Sequence, residues 1–566
     1  MSIDPAAPTA PSASTQAREA LVRFGVWGVV AAAVAVHLLM AVRSVGPMVL
    51  LDEVGYVAGA EAIGRGETAW ALCGESYSVG WSIPLATLWW LPISPTTVYQ
   101  FAVFASAAMG AAAMWPAALL SRRVGVSARA SLLVAALVTL VPARALMDNY
   151  VLAENPLAFL ILWSAVLAFR AHDRGTVGSH AAFGIVLGMA AVVHSRAIPF
   201  VAIGVGWLVL RALMRRSSWS ASAAGAVPAI ALTAAGFFAQ LALGAALFGE
   251  DNRVDSVLRT RDIRDMGLVI VGQGFTQAVS WSLLAVVGAL AIASNIRGGL
   301  RQDRWRGLAS PWTWLGVAFA GQALFTVFLL AGFEQIDNRL DVAIYGRYLD
   351  PFVVPLAVVG ASTVWARARD RVVRLGAIVA AVAVVMYAAV VIPFLPADVD
   401  WINFNTPGLL PYLDPYQGEK QTGLLIAAGA TLAGILAIYL LRRRPAVWLG
   451  LALGIAVPAT VLTDALRLDP FEETTRAQTP ISKRLEAEGI TPEIASFSSA
   501  SLPCAERNKL QMELSSYTRF VGPGETVGPL VAVGPAEWPE AEAAGMQRVM
   551  WTVWESSAIW VVPQDQ

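Results

Sequence analysis

The stretch Phe24-Gly-Val-Trp-Gly-Val-Val-Ala-Ala-Ala-Val-Ala-Val-His-Leu-Leu-Met-Ala-Val-Arg43 decides the fold class, because it is apolar apart from His37 and its final arginine. A helix of about 20 apolar residues crosses a hydrocarbon core of about 30 Å. An acidic pair follows closely in Leu51-Asp-Glu-Val-Gly-Tyr56. The sequence thus predicts a membrane span that is followed by Asp52 and Glu53 at the membrane–water interface. An acidic pair at this position also commonly just ends a helix.

Apolar stretches recur through residue 466, and the whole chain is 57% apolar and 14% charged. This composition is typical of an all-α polytopic membrane protein. The hydropathy pattern predicts thirteen transmembrane helices. They cover residues 24–43, 96–120, 128–147, 156–171, 181–193, 197–214, 224–248, 275–296, 311–333, 351–366, 375–395, 422–441 and 447–466.

Arginines fix the predicted orientation, because Lys and Arg in short loops stay on the cytoplasmic side. Alternate loops are strongly basic, for example those with Arg122 and Arg123 or with Arg442 to Arg444. The intervening loops carry the acidic residues, including Asp52 and Glu53. We therefore expect a multi-pass protein of the cytoplasmic membrane with its N-terminus inside and its C-terminus outside.

Three regions follow from composition. Residues 1–22 are rich in Ala, Pro, Ser and Thr and predict a disordered cytoplasmic tail. Residues 23–466 form the membrane domain, and the more polar residues 467–566 predict a small extracytoplasmic α/β domain. Within that domain, Leu530-Val-Ala-Val533 and Ala558-Ile-Trp-Val-Val562 predict short buried strands.

The cysteines and histidines narrow the kinds of site. Cys73 and Cys504 both fall on the predicted outer side, so a disulfide between them and two unrelated thiols are both open. Four scattered histidines form no metal motif, so a metal would depend mainly on carboxylates. A formal net charge of zero gives no reason to expect nucleic acid as a partner.

The first outer loop carries the most specific motif. It contains Asp52-Glu53, a tyrosine three positions on at Tyr56, and Gly66 at the end of an interfacial helix. This loop resembles the first exported loop of the GT-C glycosyltransferases related to the aminoarabinose transferases and protein O-mannosyltransferases. The resemblance implies a GT-C-like catalytic bundle over residues 23–466, a polyprenyl-phosphate-linked sugar as donor, and reaction at the membrane lipid boundary.

The resemblance also implies roles for the acidic pair. Transfer needs a base for the acceptor hydroxyl and positive charge for the departing phosphate. Asp52 is the expected base, and Glu53 would orient it or help to hold a divalent cation in members that use one. Tyr56 would contact substrate. The resemblance leaves open whether a divalent cation takes part, and Glu53 and Asp148 are its candidate ligands.

The second and third motifs add substrate-binding candidates. Asp148 and Glu154 lie in Asp148-Asn-Tyr-Val-Leu-Ala-Glu154-Asn-Pro156, which matches an acidic motif of the family, although an acid and a proline also suit any helix start. In His194-Ser-Arg196-Ala-Ile-Pro199, Arg196 at membrane depth should meet an anion. His194 is more often a structural partner than a ligand.

The fourth motif is Tyr345-Gly-Arg347-Tyr348-Leu-Asp-Pro351, which leads into the tenth predicted span. A guanidinium holds a phosphate through two hydrogen bonds, so Arg347 is the expected phosphate ligand. Tyr345 and Tyr348 would shape a sugar or headgroup pocket. An interfacial aromatic belt at a helix start is the alternative.

One departure sets the chain apart from the aminoarabinose transferases. Those proteins follow the first loop with a Lys-Pro-Pro segment whose lysine helps to bind phosphate, whereas Tyr77-Ser-Val-Gly-Trp-Ser-Ile-Pro84 contains no lysine.

Arginine-rich, Ala-rich usage is typical of a GC-rich, actinobacterial genome and makes decaprenyl-phosphate arabinose or mannose reasonable donors. The acceptor would be a cell-envelope glycan, lipid or protein. A multi-spanning transporter or flippase and a membrane-anchored scaffold are the rival functions.

Overall fold

The computed structural model describes residues 13–44, 46–47, 51–66, 72, 77–248, 262–281, 283–332, 340–366, 370–394, 405–413, 419–468, 495–498, 518–521, 531–551 and 557–562. The helices are α1 Ala13–Arg43, α2 Asp52–Arg65, α3 Val79–Ala86, α4 Pro95–Ala112, α5 Met114–Arg123, α6 Ala128–Leu140, α7 Pro142–Ala145, α8 Glu154–Arg174, α9 Val177–Val193, α10 Ile198–Leu213 and α11 Trp219–Phe248. They continue with α12 Ile263–Trp281, α13 Leu283–Asp303, α14 Pro311–Leu330, α15 Asp350–Ala366, α16 Asp370–Phe394, α17 Leu410–Leu413, α18 Lys420–Leu441, α19 Pro445–Thr463 and α20 Pro539–Ala543.

The thirteen predicted spans all have counterparts among these helices. Within the described residues, ten helices are long and apolar enough to cross a membrane, and the pair 128–140 and 142–149, bent by 66°, gives an eleventh. Val177–Val193 and Asp350–Ala366 are shorter apolar helices and account for the remaining two. The polytopic all-α prediction is confirmed.

Two segments differ from the sequence prediction. The span expected at 275–296 is Leu283–Ala309, because the preceding residues form the separate helix α12. Helix α1 begins at Ala13, within the segment predicted to be disordered, because Ala13–Arg43 continues the first span with good helix formers. Cys73 and Cys504, for which a disulfide and two separate thiols were both open, lie outside the described residues.

The helix ends follow local sequence rules. Gly66 ends α2 with φ +72 and donates its N–H to the carbonyl of Ala62, so the predicted glycine boundary is confirmed. Ser94 accepts from the N–H of Thr97, and Pro95 starts α4. These caps define where the connecting loops begin.

Close helix packing positions the segment that contains Arg347. Helix α15 follows that segment and packs against α13 through Gly288 and Gly360. A Cβ atom at either glycine would lie 1.9 Å from a backbone carbonyl of the facing helix. Small residues let helices approach this closely in membranes, so α15, which follows the Arg347 segment, packs tightly on α13.

The C-terminal region contains a five-stranded sheet in the order β2-β1-β3-β5-β4. The strands are β1 Ala495–Ser498, β2 Thr518–Val521, β3 Val531–Pro535, β4 Gln547–Trp551 and β5 Ser557–Val561. Strand β1 pairs in parallel with β2 and β3, whereas β5 runs antiparallel to β3 and β4. The two strands predicted from sequence correspond to β3 and β5.

Candidate active site

The centre of the candidate site is the carboxylate of Asp52, the first residue of α2. Its Oδ1 accepts a hydrogen bond of 2.9 Å from the Tyr77 hydroxyl. Its Oδ2 accepts one of 2.7 Å from Nη2 of Arg347. The Asp52 side chain is 22% exposed and that of Arg347 only 7%. Two motifs that are remote in sequence therefore meet in one ion pair, with the carboxylate at its accessible edge.

Tyr77 is positioned by the absence of a side chain at Gly55. A Cβ atom at Gly55 would lie 2.3 Å from Cδ2 of the Tyr77 ring. The ring also packs against Tyr56, with a centroid separation of 5.3 Å. Glycine at this position of α2 thus lets the Tyr77 hydroxyl reach Asp52. Tyr56 is buried and contacts the site through Tyr77.

Arg347 lies in a short 3-10 turn, Gly346–Tyr348, that α12 fixes through backbone carbonyls. Gln273 donates to the carbonyl of Tyr345 at 3.0 Å, and Thr276 donates to that of Ile344 at 3.0 Å. Burial alone would lower the pKa of Arg347, but the nearby carboxylates, Asp52 first and then Glu154, raise it above its ordinary value. The guanidinium therefore stays charged.

A second arginine lies beside the first across an aromatic ring. The guanidinium of Arg196 lies 4.1 Å from the ring centroid of Tyr348, and that of Arg347 lies 5.5 Å from it. Arg196 donates to Glu154 at 3.1 Å. Its Nε donates to Nε2 of His194 at 2.9 Å. Tyr348 thus joins two charged pairs, and His194 contacts Arg196 within this cluster.

Tyr345 belongs to the same cluster. Its ring stacks with that of Tyr348 at a centroid distance of 6.1 Å and an interplanar angle of 27°. Tyr345 is buried, whereas Tyr348 is half-buried. The predicted residues Asp52, Arg347, Tyr348, Tyr345, Arg196, Glu154 and His194 therefore form one connected cluster.

Glu53 points elsewhere. Its Oε1 accepts from the Tyr99 hydroxyl and from the backbone N–H of Val151, both at 2.7 Å. The side chain is fully buried. Glu53 therefore ties α2 to α4 and to the segment that carries Asp148 and Glu154, which gives it an evident structural role beside the predicted catalytic one.

Asp148 belongs to a buried polar network next to that segment. Its Oδ2 lies 2.5 Å from Nδ1 of His37, and its Oδ1 accepts from Asn155 at 2.8 Å. Asn155 in turn accepts from Arg144. Gly110 makes room for Asp148, because a Cβ atom there would lie 2.5 Å from Oδ1. The described contacts of Asp148 are with these protein groups and not with the Asp52 cluster.

The surroundings of Glu53 and Asp148 bear on the possible metal site. Among the residues that the structure describes, no three His, Cys, Asp or Glu side chains are grouped as metal ligands. Both oxygens of Asp148 and one oxygen of Glu53 already accept from protein donors. This donor set does not favour a cation held by Glu53 and Asp148.

Several residues of the site were not predicted. Tyr77 lies in the segment that lacks a lysine, and the sequence motifs assign no role to Tyr77 or Gly55. Their importance depends on how the segment leading into α3 packs on α2, which no local sequence pattern reveals. Arg144 and Asn155, which flank the Asp148 loop, are not among the predicted site residues. A buried arginine and amide so close to an acidic loop were the available signal.

A cavity of about 790 Å³ lies apart from this cluster, along α18 and α19. Its lining is mostly apolar and includes Trp281, Tyr412 and Trp448. The indole N–H of Trp281 donates to Asp350 at 3.1 Å, three positions after Arg347. The cavity is therefore next to the Trp281–Asp350 hydrogen bond, which lies close to the Arg347 turn. None of the predicted site residues that the structure describes lines it.

Comparisons with known proteins agree at the level of the fold. No family model and no curated protein sequence matches the chain. ArnT from Cupriavidus metallidurans in the apo state is similar with a TM-score of 0.54 and 17% identity, over 96% of this chain and 98% of that chain. ArnT bound to undecaprenyl phosphate gives a TM-score of 0.53 and 17% identity, over 94% and 97%.

A more distant likeness is to the archaeal oligosaccharyltransferase AglB from Archaeoglobus fulgidus in complex with an inhibitory peptide and a dolichol-phosphate. Its TM-score is 0.42 and its identity 12%, over 91% of this chain and 69% of that chain. ArnT is a GT-C superfamily member. The resemblance drawn from the sequence motifs is thus confirmed for the architecture, and the chain has the GT-C fold of ArnT.

Proposed function

We propose that this protein is an integral membrane glycosyltransferase that moves a sugar from a polyprenyl-phosphate donor to a cell-envelope acceptor. The observation that carries the proposal is the Asp52–Arg347 pair, since it combines a partly exposed carboxylate with a buried guanidinium. A transferase of this kind needs both a base and a cation for phosphate. The similar fold of ArnT with undecaprenyl phosphate bound is consistent with a polyprenyl-phosphate ligand.

The proposed reaction is a direct displacement. The acceptor hydroxyl oxygen attacks the anomeric carbon, and its proton passes to Asp52. The bond between the anomeric carbon and the phosphate oxygen breaks, and its electron pair stays on the polyprenyl phosphate. Arg347, with Arg196 nearby, stabilises that negative charge. The products are an inverted glycoside, polyprenyl phosphate and a protonated carboxyl group, which loses its proton to water.

The distribution of arginines indicates on which side of the membrane the transfer takes place. With the basic loops in the cytoplasm, the Asp52 cluster opens on the outer face of the cytoplasmic membrane. A polyprenyl-phosphate sugar at that face meets glycan, lipid or protein acceptors of the envelope. Arabinose and mannose are the donor sugars to test first.

The test is a transfer assay with purified full-length protein in lipid nanodiscs. Labelled decaprenyl-phosphate arabinose and mannose are supplied with an envelope extract as acceptor. We expect labelled product with the wild type and a loss of more than about 100-fold with Asp52→Asn. Asp173→Asn removes a carboxylate that pairs with Arg123 away from the site and should leave transfer unchanged. Movement of intact donor across vesicles without transfer would instead identify a flippase.

A further inference from the structure

The Asp52–Arg347 ion pair poses a chemical problem for the proposed reaction, on which this inference rests. A carboxylate that accepts hydrogen bonds on both oxygens, one of them from a guanidinium, is stabilised in its charged form. Asp52 accepts in this way from Tyr77 and Arg347. It is therefore a weak base while the pair is intact.

Arg347 is engaged in the same way. Its Nη2 already donates to Asp52, although phosphate is its expected partner. Carboxylate and phosphate present similar oxygen pairs to a guanidinium, so they compete for it. The two proposed roles, base and phosphate ligand, therefore cannot both be fully exercised with this ion pair in place.

We propose that the donor phosphate exchanges with Asp52 on Arg347 and that this exchange activates the base. When the phosphate takes the guanidinium, the Oδ2 atom of Asp52 loses its charged donor and gains proton affinity. The Tyr77 hydroxyl keeps Oδ1 in place, so the carboxylate stays oriented. Tyr77 is thus a positioning residue, and the base becomes effective only when donor is bound.

The local packing supports an exchange at this pair. The Asp52 side chain is the more exposed partner, so a phosphate can approach from its side. The backbone of Arg347 is fixed by the bonds from α12 to the carbonyls of Ile344 and Tyr345. Glu154 and Tyr348 also act on its guanidinium, so its charge remains balanced while the partner changes.

Binding of undecaprenyl phosphate, which carries the phosphate without a sugar, tests the exchange separately from catalysis. The measurement is the dissociation constant for the full-length protein in nanodiscs, by microscale thermophoresis. Because Asp52 competes for Arg347, Asp52→Asn should bind roughly tenfold more tightly than the wild type while losing transfer. Arg347→Ala should lose binding. Tyr77→Phe should bind normally but transfer more slowly, with KM nearly unchanged.

Glu61→Gln is the matched charge control. Glu61 is a buried carboxylate of the same helix that pairs with Arg65 at 3.2 Å. If Glu61→Gln tightens binding as much as Asp52→Asn, net charge alone explains the effect and the exchange is wrong. Unchanged or weaker binding by a folded Asp52→Asn protein also overturns it. No binding by the wild type would overturn the proposed function as well. Melting temperatures verify that each variant is folded.

Discussion

Asp52 and Arg347 are 295 positions apart in the sequence, and their side chains are 2.7 Å apart in the structure. The contact joins the start of α2 to the turn that precedes α15. The ion pair brings together two motifs that are separate in the sequence, the acidic pair of the first outer loop and the Arg347 segment.

Replacing Arg347 by lysine tests the geometry of this unit. Lysine keeps the charge but lacks the planar set of donors, so we expect transfer to fall by about 10-fold to 100-fold, mainly through a higher KM for the donor. The measurement is steady-state transfer with varied donor. Arg371→Lys, at the start of α16, is the control and should behave as the wild type. Equal activity of Arg347→Lys would contradict phosphate recognition by the guanidinium.

Gly55 should be intolerant of a side chain. Alanine at this position places a Cβ atom 2.3 Å from the Tyr77 ring, which must move away from Asp52. We expect transfer by Gly55→Ala to fall at least as much as by Tyr77→Phe. Gly206→Ala is the matched control, since no atom lies within 4 Å of a Cβ there. Normal transfer by Gly55→Ala would show that Tyr77 does not position the carboxylate.

Two substitutions of Glu53 separate its structural role from a direct chemical one. Glu53→Ala leaves the Tyr99 hydroxyl and the Val151 N–H without their acceptor, so the protein should lose about 2–4 kcal/mol of stability. Glu53→Gln retains Oε1 as an acceptor and should keep transfer within a few-fold of the wild type. The measurements are the melting temperature and the transfer rate. Complete loss of transfer by a stable Glu53→Gln protein would favour a catalytic or metal-binding carboxylate.

Transfer should not require a divalent cation held by Glu53 and Asp148. Both oxygens of Asp148 and Oε1 of Glu53 accept from protein donors, and the two arginines supply positive charge at the site. We expect the rate to stay within twofold after treatment with EDTA and desalting. A loss that Mg²⁺ or Mn²⁺ restores would contradict this expectation.

Much of the architecture could be predicted because membrane spans leave a strong local signal. Each of the thirteen apolar stretches corresponds to a helix or to a bent pair of helices. The separate helix α12 was missed, since its charged start at Arg264 and Asp265 hides it from a search for spans. Helix α12 holds the Arg347 turn through hydrogen bonds to Ile344 and Tyr345, which lie far along the chain and leave no local signal in the sequence.

The sequence predicted which residues belong to the site but not which of them contact one another. Asp52, Arg196 and Arg347 stand out because charge at membrane depth is costly without a function or a partner. Which carboxylate meets which arginine depends on packing, and the adjacent residues Asp52 and Glu53 face different partners. A helix turns about 100° per residue, so neighbours in sequence diverge in this way.

The most direct measurement is a cryo-electron microscopy structure of the protein with undecaprenyl phosphate. The account predicts that the phosphate lies within hydrogen-bond distance of Arg347 and that Oδ2 of Asp52 has separated from Nη2. It also predicts that Tyr77 still donates to Oδ1. A phosphate bound elsewhere, with the Asp52–Arg347 pair intact, would contradict the account.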